Sequence, residues 1–354
     1  MSYVKHVRDA LDRALDGAEE LVCSVPTDRY VIFSDHHRGQ RDGADDFRSC
    51  ERPYNAALGY YLEMGYTLVL LGDVEELWKS TPGRVVQSYP HTLELEGEFL
   101  ARHRYFRIYG NHDDEWASEG AVRRHLRAFL PGVEVREALR LSVRSGAEDF
   151  GTLLLVHGHQ GTTYSDRHRG VGRFVVRHTW RHVQRLGRIP MTTPARDFRL
   201  RARHERVMYE WAASHRRLVV ISGHTHRPVF MSQSHIRHLQ AQLDDARALL
   251  AGGRETPERQ DHVARLRARL EWVKAHEQPH GETGYDGAGT WQPCYFNTGC
   301  CSFSDGNITG IEIEGGMIKL VRWPDHSGRP EPELLAAADL RRDVLSYTSP
   351  RPTP

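Results

Sequence analysis

Short apolar runs, each followed within a few positions by polar residues, recur along the chain and predict buried strands. Five such runs precede aspartate, histidine or asparagine residues, and they cover residues 30–33, 67–71, 105–109, 152–156 and 217–221. Apolar runs of four or five residues are typical of strands that are buried on both faces. Open α/β sheets tend to place ligands just past the carboxyl ends of such strands. The pattern therefore predicts an α/β protein whose functional residues follow its strands.

Apolar residues at helical spacing predict helices between these strands. A first amphipathic helix, ended by Pro26, is predicted by Val4, Val7, Leu11, Leu15 and Leu21. Further helices are expected near residues 54–64 and 93–103, and residues 133–143 are interpreted as one more strand.

The end of the chain shows a hairpin pattern followed by a proline-rich segment. Residues 308–313 and 317–321 predict two strands joined at Gly315 and Gly316. A weak helix is expected near residues 334–345, and residues 350–354 are expected to be disordered. We therefore expect one domain over residues 1–330 and a C-terminal tail over residues 331–354.

Two helical insertions are predicted to interrupt the domain. The first covers residues 162–215 and is rich in arginine: residues 165–217 contain fourteen arginines and only four acidic residues. The second covers residues 235–277, where two apolar runs at helical spacing flank the glycine pair Gly252 and Gly253. That spacing predicts an antiparallel helical hairpin.

The composition narrows the class of protein only a little. Charged residues make up 27% and hydrophobic residues 39% of the 354 residues, and the formal net charge is +1, so nothing global favours nucleic acid or a membrane surface. The five cysteines show no CxxC pairing, which argues against a disulfide framework or a cysteine-based zinc site. Because no apolar run suits a signal peptide or a bilayer span, we expect a cytoplasmic protein. The unusual feature is the number of histidines, which is 22.

Complementary metal-ligand side chains follow the five predicted strands. The candidates are Asp35, His37, Asp73, Asn111, His157, His224 and His226. Carboxylate, imidazole and amide groups form mixed nitrogen and oxygen sites that suit zinc, manganese, iron or nickel. One catalytic ion normally takes three or four protein ligands, so seven candidates indicate two ions. Asp73 is the natural bridge between them, since a carboxylate has two oxygens and a negative charge.

These residues form a recognisable series of motifs. In chain order the series contains Asp35-x-His37, Gly72-Asp73, Gly110-Asn111-His112-Asp113, His157-Gly158 and Gly223-His224-x-His226. The series resembles the five signature motifs of the calcineurin-like metallophosphoesterase superfamily. This resemblance implies an α/β (α+β) fold, namely a four-layer double β-sandwich flanked by helices, with two metals at the sheet ends.

The resemblance also implies a role for each motif residue. The first metal would be held by Asp35, His37 and His226, and the second by Asn111, His157 and His224, with Asp73 bridging the two. His112 would be the catalytic histidine, oriented by Asp113. A metal-bridging hydroxide would attack phosphorus while the metals stabilise the phosphoryl oxygens. We expect Mn²⁺ as the metal, with iron, zinc or nickel as alternatives.

A closer similarity is to the UDP-2,3-diacylglucosamine pyrophosphatase branch. The stretches 72–78 and 223–228 are similar to its Gly-Asp-x-x-Glu-x-Trp and Gly-His-Thr-His-Arg-Pro motifs, and the branch also has a basic helical insertion. The chain departs from the branch at His112, where arginine is usual, and at His159, where aspartate is usual. The similarity therefore implies a reaction class and leaves the substrate open.

The arginine-rich insertion suggests how a substrate could be held. Arg173, Arg177 and Arg181 recur every four residues and would form one stripe on a helix. We expect this stripe to belong to a cap that binds an anionic group of the substrate, because guanidinium pairs with phosphate in bidentate fashion. The alternative is a solvated helix face. For His159, substrate contact and mere solvation remain equally open.

Three functions follow from these observations. The first is a two-metal hydrolase of phosphoester or pyrophosphate bonds in a small or amphiphilic anionic molecule, such as a nucleotide-linked one. The second is a nuclease or phosphodiesterase that uses the basic insertion to bind nucleic acid. The third is a catalytically silent scaffold that binds a protein. The helical hairpin is expected to mediate self-association or to cover the body of the protein.

Overall fold

Two mixed β-sheets, each of seven strands, form the centre of the protein. The computed structural model describes residues 3–43, 45–162, 198–251, 256–276, 292–325 and 330–348. In spatial order the first sheet contains β14 (Glu333–Asp339), β13 (Met317–Trp323), β12 (Ile308–Glu314), β2 (Tyr30–Phe33), β3 (Thr67–Leu71), β4 (Tyr105–Ile108) and β5 (Val135–Arg136). The second contains β1 (Glu19–Ser24), β6 (Ala138–Ser145), β7 (Glu148–Val156), β8 (Leu218–Ser222), β11 (Tyr295–Thr298), β9 (Pro228–Phe230) and β10 (Gln233–Ser234).

Most helices pack on the outer faces of the sheets, and two of them pack on each other as a hairpin. They are α1 (Tyr3–Gly17), α2 (Glu51–Glu63), α3 (Pro82–Ser88), α4 (Pro90–Ala101), α5 (Glu119–Ala121), α6 (Phe198–Ala213), α7 (His235–Ala251) and α8 (Pro257–His276). No helix in the described ranges is both long enough and apolar enough to cross a bilayer.

The alternation of side chains between the two faces of each strand explains the four layers of the fold, which are two sheets and the helices on their outer faces. Successive side chains of a strand point to opposite faces, and in β3 Val69 and Leu71 join the core between the two sheets. Leu68 and Leu70 instead face the core that α2, α3 and α4 cover. On the outer face of the second sheet, α1 and α6 cover residues such as Val220. The predicted double sandwich with flanking helices is confirmed.

Parallel pairing brings the loops after the central strands to one edge. In the first sheet β2 is parallel to β3, and β3 is parallel to β4. In the second sheet β7 is parallel to β8. The segments that follow these strands are the ones that carry the metal-ligand motifs, and this arrangement assembles the candidate site.

Two sequence-based predictions, at Leu21 and at residues 133–143, are wrong in detail. Leu21 belongs to β1 rather than to the first helix, because α1 ends at Gly17 and the chain then pairs in parallel with β6. The segment 133–143 is not one strand, because β5 joins the first sheet and β6 joins the second. Apolar content alone does not show where a chain crosses between sheets.

The helix predicted near residues 334–345 is wrong for its first half, whereas a π-helix over Leu340–Val344 and a 3-10 turn over Leu345–Tyr347 form its second half. Glu333–Asp339 is a strand that pairs with β13, and Ala336 and Ala338 enter the core between the sheets. This segment is rich in alanine and leucine, which favour helices, but pairing at the open edge of the sheet overrides that preference. The sheet therefore extends past the domain boundary expected at residue 330. Residues 350–354 lie outside the described residues.

The two insertions differ in what the structure describes. Residues 163–197, with Arg173, Arg177 and Arg181, lie outside the described residues. The last part of that insertion forms α6, whose Met208 and Trp211 are buried against the second sheet, so this part is a core helix rather than a cap. The second insertion forms the predicted helical hairpin, and its buried apolar residues pack on one another: Leu243, Val263, Leu266 and Leu270. Self-association through the hairpin stays a prediction.

Candidate metal centre

Most candidate metal ligands have a backbone conformation that is rare for residues other than glycine. The φ angles lie between 52° and 69° at Asp35, His37, Asp73, His224 and His226. Each such residue costs about 1–3 kcal/mol and persists only when the surrounding structure imposes it. Strained residues of this kind cluster at functional sites, and here five of the ten described non-glycine residues with positive φ belong to the sequence motifs.

Two motif glycines are required because backbones approach closely at the site. A Cβ atom at Gly110 would lie 2.1 Å from Asp73 Oδ1, and one at Gly223 would lie 2.4 Å from Asp35 Oδ2. Any side chain at either position would displace a candidate metal ligand. The glycines of these two motifs therefore serve the placement of the aspartates.

Asp35, His37 and His226 form the first of three groups of described side chains that could hold a metal ion. Asp35 Oδ2 accepts hydrogen bonds from the Ser34 hydroxyl and from the His224 backbone N–H. Asp35 Oδ1 is buried without a hydrogen-bond partner and lies 3.2 Å from His226 Nε2. The Nε2 atoms of His37 and His226 are 3.0 Å apart. One oxygen and two ring nitrogens thus point at one small volume.

Asp73, His157 and His224 form a second group. His157 Nδ1 donates to the Leu71 carbonyl at 2.8 Å, which fixes the tautomer and leaves Nε2 to face Asp73 Oδ2 at 3.1 Å. The Nε2 atoms of His157 and His224 are buried without a hydrogen-bond partner, and so is Oδ1 of Asn111. A buried polar atom with no partner is costly, and a cation bound by this group would satisfy the two histidine nitrogens.

Asp73 lies between the two groups. Its Oδ1 accepts the backbone N–H of His112 at 2.7 Å. Its Oδ2 lies 3.1 Å from His157 Nε2 in the second group and 3.8 Å from His37 Nε2 in the first. One carboxylate oxygen therefore reaches an imidazole of each group.

The electrostatics of the second group favour a cation. Burial raises the pKa of Asp73, but His157 and His112 outweigh it and hold that pKa well below its usual value. Burial lowers the pKa of His157, but Asp73 and Asp35 outweigh it and raise the pKa to about 9. Burial, and next His157, keep the pKa of His224 well below its usual value. Asp73 is therefore ionised and His224 neutral, as ligands of a divalent metal are, and the carboxylates that favour a proton on His157 would equally favour a metal cation in place of that proton.

His112 is oriented by Glu76 and not by Asp113, which corrects the role expected for Asp113. His112 Nδ1 lies 3.0 Å from Glu76 Oε2, and its ring stacks on Trp78 with the centroids 3.8 Å apart. Asp113 instead accepts backbone N–H groups of Gly110, at 2.6 Å, and Val74, at 2.8 Å. Asp113 therefore shapes the loops, whereas Glu76 and Trp78 fix the histidine ring.

Glu76 also belongs to the third group that could hold a metal, together with His37 and His112. Glu76 Oε2 lies 3.6 Å from His37 Nδ1. An ion at this position would bind His37 through Nδ1 while the first group uses its Nε2, so the imidazole would have to lose both protons. A carboxylate that accepts the Nδ1 protons of the two histidines is the simpler arrangement.

His159 lies beside the second group but not in it. The side chain is buried, its Nδ1 has no hydrogen-bond partner, and its ring centroid is 5.4 Å from that of His157. Burial, and next His157, lower the pKa of His159 to about 3, so the ring is neutral. A contact between His159 and a substrate stays a prediction.

The turn at Asn297 supports the last histidine motif, a role that sequence reasoning did not assign. Asn297 Nδ2 donates to the Gly223 carbonyl at 2.5 Å and to Thr225 Oγ1 at 3.2 Å. Thr298 Oγ1 lies 2.6 Å from the hydroxyl of Ser34. In the sequence, residues 297–299 read Asn-Thr-Gly, a pattern that indicates a turn but not what the asparagine side chain contacts.

Four fully buried charges lie directly behind the site and were also missed. Arg38 pairs with Glu96, and Arg107 pairs with Glu75, while Trp116 Nε1 donates to Glu75 at 2.8 Å. Arg38 follows His37 in the chain, and its backbone bridges to Glu75, two positions after Asp73. In the sequence these residues resemble ordinary surface charges, because their partners come from distant segments.

The family model for calcineurin-like phosphoesterases matches residues 29–228. This match covers more than half of the chain and contains all the motif residues of the candidate centre. The protein belongs to the calcineurin-like phosphoesterase family, whose members bind divalent metals and hydrolyse phosphoesters. No curated protein matches the chain in sequence.

Proposed function

We propose that the protein uses two divalent metal ions to hydrolyse phosphoester or pyrophosphate bonds in a small or amphiphilic anionic substrate. The observation that supports two ions is the position of Asp73 Oδ2, within 4 Å of one imidazole from each group. Under this proposal Asp35, His37 and His226 hold one ion, and Asn111, His157 and His224 hold the other. Mn²⁺ is the proposed metal.

The ions would supply Lewis acidity for the phosphoryl oxygens and activate a water molecule as nucleophile. His112 would act as the proton donor to the leaving oxygen. Its side chain is 16% exposed, so it can reach a substrate, while Glu76 occupies Nδ1 and leaves Nε2 available. Burial lowers the pKa of His112, but Glu76 and Asp73 outweigh it and raise that pKa. The shift favours the protonated form of His112, as a general acid requires.

A pyrophosphate bond is the proposed target within this class. Support comes from Glu76 and Trp78, which match the Gly-Asp-x-x-Glu-x-Trp motif of the UDP-2,3-diacylglucosamine pyrophosphatase branch and which lie against His112. The departures from that branch at His112 and His159 leave the organic part of the substrate open. A nucleotide-linked molecule is consistent both with the shared motif and with these two departures.

A nuclease is the second candidate, because residues 165–217 carry an excess of ten positive charges. The two candidates differ in salt dependence. A protein that tracks a phosphate backbone releases many counterions, so its affinity falls steeply with salt, whereas a small substrate releases few. Cleavage of oligonucleotides that loses orders of magnitude between 50 and 200 mM salt would favour the nuclease.

The decisive experiment combines metal analysis with a substrate panel. Purified protein loaded with Mn²⁺ is assayed on nucleotide sugars, pyrophosphates, phosphodiesters, monoesters and oligonucleotides, and its metal content is measured. We expect two equivalents of metal and turnover of at least one pyrophosphate or phosphodiester. Metal-loaded protein without turnover on any phosphoester would instead favour the silent scaffold.

Asp73→Asn tests the shared carboxylate directly. We expect loss of activity and of most of one metal equivalent, with an unchanged circular dichroism spectrum. Asp325→Asn is the matched control, because Asp325 pairs with Arg52 and belongs to none of the metal-ligand groups, so this variant should retain both ions. An active Asp73→Asn protein with two ions would contradict the proposed bridge.

A further inference from the structure

Two consecutive residues of α6, His204 and Glu205, reach two different loops of the metal centre. Both side chains are buried, at 1% and 3% exposure. The neighbouring buried residues of this helix, including Val207, Met208 and Trp211, belong to the apolar core under the second sheet. The polar pair is therefore an exception on a helix face that otherwise serves packing.

His204 holds the loop that follows β7. Its Nε2 donates to the carbonyl oxygen of Gly158, next to His157, and its Nδ1 lies 2.7 Å from the Tyr3 hydroxyl. Because the carbonyl can only accept, Nε2 carries the proton and Nδ1 accepts from Tyr3. The ring also lies edge-on to His224, with the centroids 5.6 Å apart. Both ring nitrogens are thus occupied, and the ring position is determined.

Glu205 holds the loop that follows β8. Its Oε1 accepts from Thr225 Oγ1 at 2.8 Å, and its Oε2 pairs with the guanidinium of Arg227. Thr225 lies between His224 and His226, and Arg227 follows directly. Glu205 therefore binds both residues that flank His226, a half-buried histidine of the centre.

Burial of His204 and Glu205 at this position costs free energy, and this cost is explained if the two side chains position other groups. Burial of a carboxylate and an imidazole carries a desolvation cost that an apolar residue would avoid. The loop that Glu205 binds contains non-glycine backbone with positive φ, 69° at His224 and 56° at His226. Such conformations need outside contacts to persist, and Glu205 supplies them, while His204 holds the carbonyl oxygen next to His157 from the same helical turn.

We propose that His204 and Glu205 are positioning residues that set the histidine loops of the metal centre. His204 fixes the loop of His157, and Glu205 fixes the loop of His224 and His226. Without them the loops relax toward ordinary backbone conformations, and the imidazoles leave the positions that a metal ion requires. This inference rests on the proposed metal-dependent function.

Calorimetric titration of metal-free protein with Mn²⁺ tests the pair without relying on turnover. We expect His204→Leu to weaken Mn²⁺ binding at one site about tenfold, the lower end of the range for residues that support metal ligands. His204→Gln should recover most of the affinity, because its amide can still donate to Gly158. Glu205→Ala should weaken binding about tenfold, and Glu205→Gln less, since the amide oxygen still accepts from Thr225.

Met208→Ala is the matched control on the same helix, because Met208 is fully buried and belongs to the apolar core beside the second sheet. It should lower the midpoint of urea unfolding as much as His204→Leu does, with unchanged Mn²⁺ affinity. Tyr3→Phe removes the second hydrogen bond of His204 and should change the Mn²⁺ affinity less than twofold.

The outcomes separate this inference from the proposed function. Equal loss of affinity in Met208→Ala and His204→Leu would show that the pair acts only through stability and would overturn the inference. Unchanged affinity in every variant of His204 and Glu205 would overturn it as well, while the proposed function would stand. Wild-type protein that binds no Mn²⁺, Zn²⁺, Fe²⁺ or Ni²⁺ would contradict both.

Discussion

Glu76 Oε2 lies 3.0 Å from Nδ1 of His112, whereas the carboxylate of Asp113, the next residue along the chain, accepts hydrogen bonds from the backbone N–H groups of Asp73, Val74 and Gly110. Two carboxylates near one histidine thus have separate tasks. Glu76 holds the ring and favours its protonated form, and Asp113 holds the loop on which the ring stands.

Replacement of Glu76 should impair the proton donor. We expect Glu76→Ala to lower kcat about 10²-fold, the lower range for general acid catalysis, with a smaller change in KM. In Glu76→Gln the ring keeps an acceptor but loses the carboxylate that raises the His112 pKa. The pKa should fall, so the high-pH decline of kcat should begin at lower pH than in the wild type. A pH profile of kcat with an unshifted decline would contradict this role.

Gly110→Ala should remove the metal centre without a comparable loss of secondary structure. The new Cβ would meet Asp73 Oδ1 at 2.1 Å and the Asp73 backbone nitrogen at 2.6 Å, so Asp73 must move. We expect loss of at least one metal equivalent, measured by mass spectrometry, and loss of activity. Gly59→Ala in α2 is the control, since its Cβ meets nothing within 4 Å and should stabilise the helix by about 0.5–1 kcal/mol. Full metal content in Gly110→Ala would mean that Asp73 is not held by this close approach.

Glu96→Ala should destabilise the fold strongly. Arg38, which is 1% exposed, would lose its closest partner, and an uncompensated buried charge costs about 3–5 kcal/mol. Urea unfolding measures this loss. Glu98→Ala on the same helix is the control, because its pair with Arg102 is solvent-exposed and is worth at most about 1 kcal/mol. Similar losses of unfolding free energy in Glu96→Ala and Glu98→Ala would show that the buried ion pair stabilises the fold no more than the exposed one.

The sequence predicts the site better than it predicts the topology, and the reason is the range of the interactions. The apolar strands and the polar residues after them are encoded within a few positions, so Asp35, Asp73 and His157 could be recognised as candidates. The double sandwich followed from the motifs as a set. By contrast, β14 forms because an open sheet edge is available, and no local pattern reveals an edge.

Support of the site could not be predicted for the same reason. The pairing of Glu76 rather than Asp113 with His112 depends on how the loop after β3 bends. Glu205 reaches Thr225 across 20 positions, and Arg38 reaches Glu96 across 58. Local composition at these residues resembles that of a solvated surface. Cytoplasmic location, self-association and the arginine cap stay predictions.

The candidate ligands are divided between the two sheets. Asp35, His37 and Asp73 follow strands of the first sheet, whereas His157, His224 and His226 follow strands of the second. The first group and the second group each take residues from both sheets, so an ion bound at either of these two groups would cross-link the sandwich at this end. By mass action, metal at 100 times its dissociation constant would add about 2.7 kcal/mol to the free energy of unfolding. A chelator should then lower the melting temperature. It should also speed amide hydrogen exchange first at the carboxyl ends of β2, β3, β7 and β8. Bound ions would thus hold the two sheets together in addition to any part they take in catalysis.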